Sequence, residues 1–140
     1  MGQAQRRPTW WSKTYGFQQA DWVAARVVAQ DILISAAREL RLLTYVDGVA
    51  APVARAVRAV DLRPMPHRRW ALAALLGQIS LAEYYEGRPL LSAIVVPKGG
   101  DLLKHGFFDM VKKDTDLKSD DSNEAIWGRE LARVFQHWAM

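Results

Sequence analysis

With 140 residues, half of them apolar, the chain has the size and hydrophobicity of one domain with its own core and is too apolar for a disordered chain. It contains no cysteine, which excludes disulfides, thiolate metal sites and cysteine nucleophiles and makes a reducing cytoplasm the expected compartment. The net charge of +4 is uneven: residues 1–70 carry eleven Lys or Arg against five acids and residues 71–140 eight against ten, so the +6 half favours a polyanion or an acidic protein surface as partner.

The opening MGQAQRRPTWWSK has Arg6 and Arg7 but lacks the apolar stretch and small-residue cleavage site of a secretory signal, so no export is expected. Trp10, Trp11, Tyr15 and Phe17 form an aromatic arm within residues 1–18 that is expected to cover the core. Residues 19–140 form a single helical domain. Asp21 suits the cap of a helix running to about Leu43, with Trp22, Ala25, Val28, Ala29, Ile32, Ala36, Leu40 and Leu43 at helical spacing. Arg26, Asp31, Arg38, Glu39 and Arg41 interrupt this greasy region, so it is no membrane span.

Asp47-Gly48 marks a turn, and Pro52 suits the first turn of a short helix ending near Val60. Leu42 to Val46 reads either as a short strand or as the start of a helix. Pro64 and Pro66 break the chain. A helix from His67 or Arg68 to Glu86 follows, stopped by Gly87, with Trp70, Leu72, Leu75, Leu76, Ile79 and Ala82 on its buried side.

The unbroken apolar run Leu90 to Val96 reads as a strand covered on both faces or central in a small sheet. Leu102 to Lys113 reads as a helix with Gly106 as a weak point, and residues 114–123 as a polar loop. Ser122 or Asn123 then caps a last helix with an apolar stripe of Ile126, Trp127, Leu131, Val134, Phe135 and Trp138. The predicted fold is therefore α+β and mainly helical, with a small sheet containing residues 90–96, paired near Thr44 to Val46.

Five arginines, Arg55, Arg58, Arg63, Arg68 and Arg69, cluster around two helical segments. Guanidinium forks suit phosphates and base edges, and a helix-turn-helix-like reading gives the Val53 to Val60 helix a recognition role. Simple solvation of helix faces accounts for the same residues as readily. A second cluster, Glu83, Glu86, Arg88, Asp101 and His105, flanks the expected strand and holds the raw material of acid–base chemistry. Glu83 and Glu86 stand near a helix end, where such pairs are usually solvated, and Arg88 can pair with either.

Other chemistry finds little support. Ser92 lies inside an apolar run, away from any glycine-flanked elbow, and is expected to be a buried hydroxyl bonded to backbone. His67, His105 and His137 lack the spacing of a zinc site, and no cofactor motif is present. Gly99-Gly100-Asp101 can form an anion nest before a helix but lacks the lysine and serine of a P-loop. The Met and Trp residues are expected to fill the core.

The runs TYVDGVA, LLGQIS, EGRPLLSAIVV and GFFDM, within residues 40–138, resemble a little-characterised family of small bacterial proteins with the pattern TYGELA, LGEIS, GRPLLSALVV and GPGFF. That family has no assigned activity, so the resemblance implies a shared fold and a bacterial or mobile-element origin, with Arg88, Pro89, Ser92, Phe107 and Phe108 as signature positions. Gln78 departs from the glutamate of the pattern, and Lys104-His105 from its Pro-Gly step.

The expected function is non-enzymatic binding of nucleic acid or an acidic protein through the arginine-rich face, aided by the Gly99 to His105 loop. A phage or mobile-element interaction or inhibitor module, working through the aromatic arm and the acidic loop, is the alternative. A small hydrolase using the 83–105 cluster comes third, and a homodimer is compatible with the six tryptophans.

Overall fold

A computed structural model describes residues 7–64, 67–98, 105–117 and 122–139. Among them, five α-helices enclose a two-stranded parallel sheet, which gives the mainly helical α+β fold that the sequence predicts.

Helix α1 (Gln19–Arg38) buries Trp22, Ala25, Ala29, Leu33, Ala36 and Ala37 along one stripe. Asp21 is not its cap. The extended Gln18 holds that position without a side-chain bond, and Asp21 lies in the first turn, where a carboxylate complements the helix dipole. The helix also stops before Leu43. Leu40 takes a left-handed conformation (φ 58°), Arg41 N donates to Ala36 O at 2.9 Å, and Leu40 N donates to Ala37 O at 3.1 Å. These two bonds make a Schellman ending without the usual glycine.

The reversal brings strand β1 (Leu43–Thr44) beside β2 (Val95–Val96), with Leu43 opposite Val95 and Thr44 opposite Val96. From β1 the chain enters a π-helical turn, Tyr45–Ala50, which runs directly into α2 (Ala51–Ala56). Both readings of Leu42 to Val46 are thus partly realised. Asp47-Gly48 lies within helical backbone, against the expected turn, and α2 ends four residues before Val60. Gly48 has a packing reason: a Cβ there would sit 3.0 Å from Leu43 Cβ and 3.3 Å from Leu43 Cα. Glycine lets the first helical turn fold back on β1.

Helix α3 (Arg69–Tyr85) ends at Gly87, whose φ of 79° suits a residue without Cβ. Trp70 does not join its buried side; it is 68% exposed. At about 100° per residue, Trp70 lies about 200° from Leu72, opposite the buried stripe.

The run Leu90 to Val96 is buried throughout, but Leu91–Ile94 forms a 3₁₀ turn and only the last two residues are strand. That turn packs among α1, α3 and α5. An unbroken apolar run signals burial on all sides, and it does not separate a buried turn from a strand.

Helix α4 (His105–Asp114) continues through Gly106, and α5 (Asn123–Trp138) is capped by Ser122, whose hydroxyl accepts from Ala125 N at 3.1 Å. The aromatic arm packs on the core as expected. Trp11 meets Tyr85 edge-on at 5.2 Å between ring centroids, and Phe17 stacks on Trp22 at 5.8 Å. Among the described residues, no helix is long and apolar enough to cross a membrane.

Candidate functional site

The acidic cluster divides. Glu83 is buried and its carboxylate is occupied: Arg88 Nε donates to Oε1 at 2.7 Å, Arg88 Nη2 to Oε2 at 3.2 Å, and Gln30 Nε2 to Oε2 at 2.8 Å. A carboxylate so engaged ties the end of α3 to α1 and is poorly placed to take a proton from a substrate. The hydrogen bonds to Glu83 raise the pKa of Arg88, and the charge of the exposed Glu86 nearby adds to them. Asp101 lies outside the described residues, as do Gly99 and Gly100 of the expected nest, and His105 opens α4. Among the described residues, no group of His, Asp and Glu is arranged to hold a metal ion.

Ser92 is the buried hydroxyl the sequence predicts, engaged by a side chain. Ser80 Oγ donates to Ser92 Oγ at 2.7 Å and accepts from Ser92 N at 2.8 Å. Two further buried polar residues, Gln78 and Glu130, hold elements together in ways no local sequence signal marks. Gln78 Oε1 accepts from Trp22 Nε1 at 2.8 Å and Arg26 Nη1 at 3.1 Å, while its Nε2 donates to Trp10 O at 3.0 Å and Lys13 O at 2.9 Å. One amide joins the arm, α1 and α3. Glu130 accepts from Leu90 N at 3.1 Å and Arg133 Nη1 at 2.6 Å, docking α5 on the segment before the 3₁₀ turn.

The five arginines also differ. Arg55 on α2 and Arg58 just beyond it are exposed. Arg63 grips Asp61 through Nε and Nη2, both at 2.8 Å, and its hydrogen bonds hold the Asp61 carboxyl down at about 2. Arg68 is half-buried with its guanidinium 4.5 Å from the Phe17 ring centre. Arg69, exposed at the start of α3, lies 5.1 Å from the ring centre of Trp70.

The apolar spacing predicts Trp70 on the buried side of α3. It is instead the most exposed of the large apolar side chains among the described residues, and it follows Arg68 and Arg69 in the chain, with the Arg69 guanidinium over its ring. The helix register, read from Leu72, Leu75, Leu76 and Ile79, carries the signal that places it outside. Arg69 and Trp70 also line a cavity of about 440 Å³ between α3, α4 and the β1–α2 connection. Tyr45 lines it too, and burial pushes its phenol well above the usual range.

The chain matches no family model, no curated protein sequence and no solved structure, so the motif resemblance stands on its own residues alone.

Proposed function

We propose that this chain is a non-enzymatic binding protein that engages single-stranded nucleic acid through Arg68, Arg69 and Trp70, with Arg55 and Arg58 adding phosphate attraction. The observation that carries the reading is Trp70: its indole is 68% exposed at the head of a helix with a guanidinium 5.1 Å from its ring centre, while the other five tryptophans are buried or half-buried. Proteins that bind single strands combine positive charge for the backbone with aromatic faces on which bases stack, each worth about 1–3 kcal/mol per base. A duplex offers no unstacked base to that indole. The α2 helix has six residues, a short lever for major-groove reading.

The test is a fluorescence-polarisation titration with short labelled single strands of DNA and RNA and their duplexes, at ~50 and ~200 mM salt, where phosphate contacts are respectively strong and screened. The reading expects saturable binding, single strand over duplex, that falls steeply with salt. Absence of binding at the lower salt would remove it.

A second reading, a protein-interaction module, is favoured by exposed apolar residues on and just after α1: Val23 (37%), Val27 (54%), Leu40 (61%) and Leu42 (46%). Light scattering over a concentration series tests whether a second copy of the chain covers them.

A further inference from the structure

Trp70 has an inner side as well as an outer one. The cavity it rims measures about 440 Å³, within the ~300–1,000 Å³ typical of small-molecule sites. Leu72, Leu76, Phe107, Met110, Val46 and Pro97 are apolar residues of its wall. Among the described residues lining it, Arg69 is the one charged side chain, and it makes no ion pair with a described carboxylate.

We propose that this cavity binds an amphipathic carboxylic acid, with its hydrocarbon body between α3 and α4 and its carboxylate on the Arg69 guanidinium at the rim. The choice of ligand follows from what the walls offer. A nucleobase or sugar would bring several donors and acceptors into a space with few polar side chains, and the Ser92 hydroxyl there is already held by Ser80 at 2.7 Å. Polar groups buried without partners are costly, so such a ligand is selected against.

A hydrocarbon meets no such cost. An apolar cavity of ~150 Å³ accommodates one benzene, so this one has room for a chain of roughly ten to fourteen carbons even though it is partly open. The charge at the rim then decides the head group. A guanidinium fork matches a carboxylate at two points, and no acid among the described lining residues competes for it. An ammonium head would face the same guanidinium as a like charge.

This inference is independent of nucleic-acid binding, although both use residues at the start of α3. It is tested by calorimetric titration of the full chain with decanoate, decan-1-ol and decyltrimethylammonium, all below their micelle thresholds. Decanoate should bind one to one, the alcohol more weakly and the cation most weakly. Arg69→Gln sits at an exposed position and should leave the melting curve unchanged; it should weaken decanoate about tenfold while leaving the alcohol as it was. Ala73→Leu, at the cavity wall, should weaken decanoate and decanol together. No saturable binding of decanoate overturns the proposal. So does equal affinity for all three probes, or decanoate binding indifferent to Arg69→Gln.

Discussion

Arg88 closes on the Glu83 carboxylate at two points, Nε to Oε1 at 2.7 Å and Nη2 to Oε2 at 3.2 Å, while its own backbone N–H donates to Glu83 O at 2.8 Å. Three bonds between the same two residues fix the turn at Gly87 that releases the chain from α3. The Glu83 side chain is 1% exposed and that of Arg88 34%. Arg88→Ala therefore leaves a buried carboxylate with Gln30 as its side-chain donor among the described residues. Losing one partner of a fully buried pair costs about 3–5 kcal/mol, and the partial exposure of Arg88 moves the expectation to about 2–3 kcal/mol. Urea unfolding of the variant measures it; a loss under about 0.5 kcal/mol would show the pair to be incidental.

Gln78 uses both amide hydrogens on carbonyls of the aromatic arm, Trp10 O and Lys13 O. Gln78→Glu sets carboxylate oxygens against those carbonyls in a site with no solvent exposure. The new charge gains Arg26, which lies 3.1 Å from Oε1 in the present arrangement. One partly buried cation does not offset two lost donors and a buried charge, so a net destabilisation of about 2–4 kcal/mol is expected. Faster proteolysis within the arm should accompany it, and unchanged cleavage there would contradict the anchoring role.

Gly48 sets two effects against each other. Glycine to alanine in a helix interior ordinarily stabilises by about 1 kcal/mol. Here the added Cβ would lie 3.0 Å from Leu43 Cβ and 3.3 Å from Leu43 Cα, and the latter is backbone pinned in the parallel pairing with Val95. Overpacking of about 1–3 kcal/mol should win. Thermal melts of Gly48→Ala decide the sign, and a higher melting temperature would mean that β1 yields.

Asp61 and Arg63 supply the pH dependence. The hydrogen bonds from Arg63 hold the Asp61 carboxyl at about 2, below its ordinary 3.8. A depressed carboxylate stabilises the fold above its unfolded pKa, and that contribution is lost as pH falls from about 4 towards about 2. Both side chains are substantially exposed, so the effect on global stability is small. Carboxyl-carbon chemical shifts should titrate near 2 in the native chain and rise towards 3.8 in Arg63→Ala; an unchanged midpoint would remove the pairing in solution.

Local signals carried the parts of the fold that local physics decides. Ser122 or Asn123 before an apolar stripe announced α5, Gly87 announced the end of α3, and the apolar run after Pro89 announced burial, though it read as a strand over Leu90 to Val96 and only Val95–Val96 is one. What stayed hidden depends on distant partners. In the π-helical turn at Tyr45–Ala50 Gly48 packs closely on Leu43, and an Asp-Gly pair that reads as a turn lies inside a helix. Leu40 holds a left-handed position that sequence rules assign to glycine. The candidate site residues divided the same way: the arginines were visible as a cluster, but the Glu83–Gln30 contact across 53 residues and the cavity are tertiary facts. Trp70 was legible from helix register alone, and hydrophobicity outweighed it.

Trp70 is the proposed stacking face, and the most direct measurement compares native chain and Trp70→Ala in titrations against a labelled single strand and its duplex at ~50 mM salt. Because the indole is exposed, the substitution should leave the unfolding free energy within about 0.5 kcal/mol of native. Single-strand affinity should fall roughly 5- to 100-fold, the loss of one stacked base, and the preference for single strand over duplex should fall with it. Single-strand binding of native strength in Trp70→Ala would contradict the account.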